Sequence, residues 1–255
     1  MENKINTVIE EILKEKEKLL SPNSLAFLSR IYLNGIDHYL NRIKAINFIN
    51  GTNVLDAGCG FGQWSLLLSE VNNNVYSLDS DSARLFLFDL ILFKINKKNI
   101  SLQFGKLDYL PYKDHFFDFI FCYQVMQYTP WKEVLREFYR TLRIGGRLYF
   151  TINDIGWYIH CWQNSPNKVE GYDPKNELKF CFSDTLNYNQ YNLPPAHIII
   201  SKEEVSEYLL DIGFGIIDCK GEGKINLNKN SKSFSFFNEE YCNLPGIFEF
   251  LVEKK

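Results

Sequence analysis

Val54-Leu55-Asp56-Ala57-Gly58-Cys59-Gly60-Phe61-Gly62-Gln63-Trp64 is the stretch on which the reading of this chain turns. A short apolar run enters three glycines at alternate positions and leaves into a helix that begins near Trp64 and reaches Glu70. Glycine lets such a turn take positive φ and lets a ligand touch the main chain. The first N–H groups of the helix that follows have no internal partners and face outward with partial positive charge. Asp56 precedes the glycines, and Val75-Tyr76-Ser77-Leu78-Asp79 ends a second strand after them. Asp79 lies about twenty residues beyond the turn, where an acid meets ribose hydroxyls in nucleotide-binding α/β folds.

The spacing separates two kinds of cofactor. A nicotinamide fingerprint needs glycine at positions one, three and six, with pyrophosphate over the helix start. Counted from Gly58, position three is Gly60, position five is Gly62 and position six is Gln63. Asp56 would also repel a pyrophosphate. The run Asp56 to Gly62 instead resembles the first motif of the class I S-adenosylmethionine-dependent methyltransferases, whose cofactor carries a sulfonium and an ammonium and no phosphate.

Outward from the turn, strand and helix alternate regularly: strand 53–57, helix 62–71, strand 74–79, helix 81–95, then strands near 100–104 and 117–122. Helix 131–142, strand 147–152, helix 201–212, strand 214–219 and a last strand at 247–253 complete the series. Arg143-Ile144-Gly145-Gly146 reads as the tight turn into the fifth strand. Alternation of this kind predicts a parallel sheet covered on both faces. Leu110-Pro111-Tyr112-Lys113-Asp114-His115-Phe116-Phe117-Asp118 and Leu135-Arg136-Glu137-Phe138-Tyr139-Arg140-Thr141-Leu142 through Gly146 resemble two further motifs of the methyltransferase subgroup acting mostly on small molecules and lipids. The resemblance covers roughly residues 50 to 152. It implies an α/β, Rossmann-like, doubly wound and mostly parallel seven-stranded sheet whose last strand is antiparallel.

It also implies a site. Ala57, Gly58, Cys59, Gly60 and Gly62 would hold the methionine moiety through their backbone, with Asp56 near its ammonium. Asp79 would accept both ribose hydroxyls, and Ser80 follows it. At the adenine position the acid common in the family is replaced by Lys106, followed by Leu107, with Asp108 two residues on. The end of the fourth strand, Cys122 and Tyr123, lies toward the methyl group, and Gln127 stands where relatives often carry His. Helix 37–49 precedes the first strand and offers Arg42, beside His38 and Tyr39, to the methionine end. A hydroxyl acceptor needs a base, generally His, Asp or Glu. His160 and His197 are the candidates.

Both histidines fall in an insertion, 153–200, placed above the carboxyl ends of the strands and rich in Trp and Tyr. It reads as a substrate cover, with 51–255 as the methyltransferase domain and 1–50 as N-terminal helices forming a cap. Residues 4–20 have amphipathic spacing and end at Ser21-Pro22. Asn192-Leu193-Pro194-Pro195 looks like a nucleic-acid methyltransferase motif but follows the fifth strand rather than the fourth.

A net charge of −3 over 255 residues gives no electrostatic reason to expect nucleic acid or an anionic membrane as partner. There is no apolar run of spanning length, no opening of a secretory signal, and no C-x-x-C pair among the six cysteines for a metal or disulfide framework. A cytoplasmic enzyme acting on a small molecule is the expectation, its oligomeric state open. The rival readings are a non-catalytic protein that keeps the cofactor, and a nicotinamide oxidoreductase.

Overall fold

The structure is a computed structural model that describes residues 2–15, 20–33, 36–191, 197–228, 230–231 and 233–255. The run Asn192 to Pro195 and the end of the first predicted helix lie outside the described residues.

Seven strands form one sheet in the order β3-β2-β1-β4-β5-β9-β6: β1 (Asn53–Ala57), β2 (Asn74–Asp79), β3 (Ile100–Phe104), β4 (Phe117–Cys122), β5 (Leu142–Asn153), β6 (Phe214–Gly221) and β9 (Ile247–Lys254). A two-residue pair, β7 (Glu240–Tyr241) and β8 (Leu244–Pro245), stands apart. β1 to β5 pair in parallel, while β9 runs antiparallel to both β5 and β6. The expected fold is therefore present. Residues 143–146, expected as a turn, are a bulge inside β5: the register steps from Phe117–Leu142 to Phe119–Arg147, and Gly145 takes φ +72° in the looped-out stretch.

Alternate side chains of each strand serve two cores. Val54, Val75, Phe119, Phe121, Tyr149 and Leu251 face α3 (Asp37–Ala45), α4 (Gln63–Val71) and α5 (Ser82–Ile95), and α1 (Glu2–Glu15) and α2 (Pro22–Leu33) join this side. Leu55, Leu78, Ile120, Leu148, Phe150 and Phe250 face α6 (Trp131–Thr141) and α10 (Lys202–Asp211).

α2 was not anticipated. Ser21-Pro22 read as a stop, yet proline at the first helical position is favourable because its missing N–H would have had no partner there. Ile5, Val8, Ile9 and Ile12 of α1 are all buried. Each removes enough apolar area from water to stabilise by roughly 1.5–3 kcal/mol before chain entropy is counted. The N-terminal helices are thus continuous with one core of the sheet.

The insertion is helical, with α7 (Ile155–Asn164), α8 (Pro174–Leu178) and α9 (Cys181–Tyr191). Asp154 caps α7 and also accepts from Lys202 N at 3.1 Å, fastening the start of the insertion to the start of α10. Among the described residues no helix is long and apolar enough to cross a membrane, and no group of side chains has metal-ligand geometry.

Candidate active site

The glycine turn joins β1 to α4 at the carboxyl end of the parallel strands. Gly58 N and Cys59 N donate to Leu78 O at 2.8 and 3.0 Å, tying the turn to β2. Gly58, Gly60 and Gly62 have φ of 77°, 56° and 84°, but each is glycine for a different reason. A Cβ on Gly58 would sit 2.5 Å from the Val125 side chain, and one on Gly62 only 2.1 Å from the Phe88 ring. A Cβ on Gly60 would meet nothing within 4 Å among the described residues. Packing requires two of the glycines, and the middle one faces open space. Ala57 and Cys59 are buried against the core, and burial pushes the Cys59 thiol well above its ordinary range.

Two acids flank the turn. Asp79 Oδ2 accepts from Gly60 N at 2.7 Å and Oδ1 from Asp81 N at 2.8 Å, so one carboxylate lies against the open glycine. Asp56 is 1% exposed and accepts from Ser65 Oγ at 2.5 Å, with Ser77 Oγ donating on to Ser65 at 2.7 Å. Burial, with the nearby Asp79 charge adding to it against the Ser65 bond, pushes the Asp56 carboxyl up to about 7. Ser80 is exposed, and Asp81 caps α5 through Ala83 N and Arg84 N.

Beyond β3, Gly105 N donates to Asp79 O at 3.1 Å and brings the following residues beside Asp79. They divide: Leu107 is buried in the second core, while Lys106 and Asp108 lie in solvent.

At the end of β4 Cys122 is buried and its thiol raised by burial. Tyr123 Oη donates to Glu222 Oε1 at 2.7 Å. Gln124 takes the left-handed conformation (φ 59°) and its N–H donates to Thr151 Oγ1 at 2.8 Å. Gln127, 2% exposed, donates through Nε2 to Gln124 O at 3.1 Å, and its buried Oε1 has no partner among the described residues. Its carbonyl accepts from Ile198 N at 2.9 Å, which sets His197 beside it. The His197 ring lies between Tyr128 and Tyr158, at 4.8 and 5.2 Å between centroids, and its buried Nε2 has no partner among the described residues. Burial pulls the His197 pKa down to about 4, so the imidazole is neutral at physiological pH.

Two expected site residues are placed elsewhere. His160 lies on α7 against Tyr241 at 4.4 Å and beside Asn164 Nδ2 at 3.1 Å, with the β7–β8 pair and not with Gln127 and His197. Arg42, expected at the methionine end, is fully buried instead. Its guanidinium donates to Glu222, to Phe234 O and, at 3.1 Å, to Tyr149 Oη, and lies 3.7 Å from Glu249. Tyr149 Oη donates to Glu249 Oε2 at 2.6 Å. A buried cation is stable only when paired in this way, which leaves Arg42 committed to α3's docking.

Glu222, Glu249 and Tyr149 were missed by sequence reasoning. One signal was available for Glu249: it is a lone acid in Ile247-Phe248-Glu249-Phe250-Leu251-Val252, an apolar run that reads as a buried strand.

Known proteins match the same region. A family model described as a methyltransferase domain matches residues 55–150. A demethylmenaquinone methyltransferase of Listeria monocytogenes is 32% identical over 110 residues, 42% of this chain and 46% of that protein; the chain thus spans about half the length of such curated relatives. One from Geobacillus is 23% identical over 232 residues, 86% of this chain and 92% of its own. In fold the chain is similar to an S-adenosylmethionine-dependent methyltransferase from Methanosarcina mazei, with a TM-score of 0.54 at 18% identity over 80% of this chain and 92% of that one. Residues 55–150 are thus similar to the methyltransferase domain, and the fold around them is that of the solved S-adenosylmethionine-dependent methyltransferases.

Proposed function

We propose that the protein transfers a methyl group from S-adenosylmethionine to a small-molecule acceptor held between the glycine turn and the helical insertion. The observation that carries this is the pairing of Gly60 with Asp79. An open, left-handed glycine and a carboxylate 2.7 Å from its N–H offer backbone contact and a bidentate acceptor at one place. The residues present suit the cofactor: Ala57 to Gly62 line its methionine moiety, Asp79 takes the ribose hydroxyls, and the Leu107 backbone with Asp108 or Lys106 stands at the adenine. Asp56 suits a cationic group and opposes a phosphate. When bound, the cofactor supplies an electrophilic methyl group on a good leaving group.

The chain's own residues then have to align the acceptor and exclude water. Cys122, with Tyr123 after it, ends the strand that faces the methyl group, and Gln127 Oε1 offers a hydrogen-bond acceptor that no described residue uses. Oxygen is the preferred acceptor atom, ahead of nitrogen. A hydroxyl must lose its proton as the new bond forms, and His197, beside Gln127 and with no partner for Nε2 among the described residues, is the candidate to take it, although burial makes its imidazole a weaker base than a free one. His160 has no part in this. The insertion, built from residues 153–200, serves as the substrate cover, and α1 to α3 form the wall on the other side. The similarity to proteins named for demethylmenaquinone methylation supports a small-molecule acceptor.

The test is turnover of a labelled methyl donor on a metabolite extract, by the wild-type chain and by Asp79→Ala. Incorporation that falls at least about tenfold in the variant is expected, on the scale of one lost charge-assisted hydrogen-bond pair. No incorporation by the wild-type chain, with the cofactor bound, would favour the non-catalytic reading.

A further inference from the structure

The two edges of the sheet are built differently. β6, at one edge, carries Asp218 and Lys220, paired at 2.6 Å, and its register slips between Ile216 and Asp218. Charge and irregularity of this kind keep an edge from pairing with another strand. β3, at the other edge, reads Ile100-Ser101-Leu102-Gln103-Phe104, with no charge, no proline and an unbroken register against β2. Val75 N donates to Asn99 O at 2.9 Å and Gly105 N to Asp79 O at 3.1 Å, so the backbone of the odd-numbered residues faces β2. The N–H and C=O groups of Ile100, Leu102 and Phe104 therefore point away from the sheet. Among the described residues no strand meets them, and only Phe104 O is covered, by the exposed Gln103 side chain at 2.7 Å.

The side chains beside this edge are apolar. An open groove of about 510 Å³ runs between α5 and β3, with Phe86, Leu90, Phe93, Ile100 and Leu102 along it. Phe104 continues the line of Ile100 and Leu102 by strand alternation. Phe86, Phe93 and Phe104 are 58%, 82% and 62% exposed. At about 200 Å² for each ring, these three leave roughly 400 Å² open on one chain, a size at which exposed apolar patches are functional. Two copies bring roughly 800 Å², and Leu90, Leu102 and the strand backbones raise the total to about the 1,200 Å² at which stable interfaces begin. Asp89 and Lys98, both exposed, put both signs of charge on the groove, so a second copy meets it without net repulsion.

The surface also matches itself in pattern. β3 is apolar at Ile100, Leu102 and Phe104, and α5 at Phe86, Leu90 and Phe93, so each reads the same, to within a residue, in both directions. Leu90 and Leu102 both line the groove, which sets the two patterns at one level. A two-fold axis through Leu102 brings Ile100 opposite Phe104 of the second copy and Leu102 opposite Leu102. All the outward backbone groups then meet in one antiparallel register. The same rotation turns Phe86 toward Phe93 of the second copy.

We infer that β3 and α5 form the interface of a homodimer. Two seven-stranded sheets join edge to edge through β3, and the two α5 helices pack across the join. A two-fold contact of this kind is closed, and the guarded edge at β6 keeps the joined sheet from growing further. The carboxyl ends of the two sheets point in opposite directions, so each glycine turn stays open to its own ligands. The inference is independent of the methyl-transfer reading.

The test is sedimentation velocity of the full chain over a dilution series from about 100 µM to about 1 µM. It is run on the wild-type chain, on Phe93→Glu, on Phe104→Glu, and on Phe180→Glu, which makes the same change at a 58% exposed ring of the insertion. All three rings are more than half exposed, so the monomer fold is retained, and unchanged circular dichroism verifies this. A wild-type dimer is expected, with a dissociation constant at least about a hundredfold weaker in Phe93→Glu and Phe104→Glu, because symmetry places each change in the interface twice. Phe180→Glu should dimerise as the wild type does. The two variants lie on different elements, so either one that folds decides. A wild-type chain that is monomeric throughout, a dimer that either folded variant leaves intact, or equal weakening by Phe180→Glu overturns the interface.

Discussion

Gly60 and Gly62 are two residues apart, both left-handed, and their substitution by alanine separates packing from binding. Gly62→Ala drives a methyl group into the Phe88 ring, an overpacking that costs about 1–3 kcal/mol on top of the φ penalty. A thermal melt lowered by several degrees is the expected result. Gly60→Ala meets no atom, so its melt falls less, while S-adenosylhomocysteine affinity drops more than for any change of similar size elsewhere on the turn. Equal melts for the two variants would contradict the distinction.

Asp56 gives a pH dependence at the same scale. Its folded pKa, about 7, lies above the ordinary 3.8, because burial disfavours the charged form. Its contribution to stability is therefore complete below the unfolded value and is lost as pH rises through about 7. The ammonium of the cofactor's methionine moiety, which S-adenosylhomocysteine keeps, favours the ionised carboxyl, so binding below pH 7 releases a proton. Affinity for S-adenosylhomocysteine should fall as pH drops through 7, by at most about tenfold per unit, and Asp56→Asn should flatten that slope. The same slope in both proteins would remove Asp56 from the site.

At the scale of elements, the docking of α3 depends on one buried cation facing two buried carboxylates. Arg42→Met leaves Glu222 and Glu249 sealed in the core without a counter-charge, and burial already raises the Glu249 carboxyl. A loss of about 3–5 kcal/mol in urea unfolding is expected from breaking such a pair. The triple change Arg42→Met, Glu222→Gln, Glu249→Gln should recover much of it, since removing all partners together leaves no orphaned charge. Little of this network was legible in the chain. Arg42, Glu222 and Glu249 are some 180 and 207 residues apart by their numbers, 222 − 42 and 249 − 42, and no local period links them. The strands were legible because buried strands of a parallel sheet are short apolar runs, and Val54, Ile120 and Leu251 each sit in one. α2 was hidden by Pro22, which signals a stop and a start with equal force. The helices of the insertion were hidden because their exposed rings, Trp162 and Phe182 among them, blur the apolar stripe that a surface helix ordinarily shows.

Across the whole molecule, the carboxyl ends of β1, β2, β4 and β5 converge on a region bordered by α3, the segment after β6 and the insertion. The turn and its two acids were readable from spacing alone, since Asp56, Gly60 and Asp79 belong to one strand–turn–helix–strand unit. The acceptor side was readable only as a place. His160 and His197 looked equivalent in the chain; the hydrogen bond from Ile198 to Gln127 and the Tyr128 and Tyr158 rings set His197 beside Gln127, while His160 lies against Tyr241. The central claim is that a positively charged sulfur donor, and not a phosphate-linked dinucleotide, rests on the turn at Gly58 to Gly62. Isothermal titration of the wild-type chain with S-adenosylmethionine and, separately, with NAD tests it most directly. One site for S-adenosylmethionine and no heat with NAD is the expected result; saturation by NAD with none by S-adenosylmethionine would contradict it.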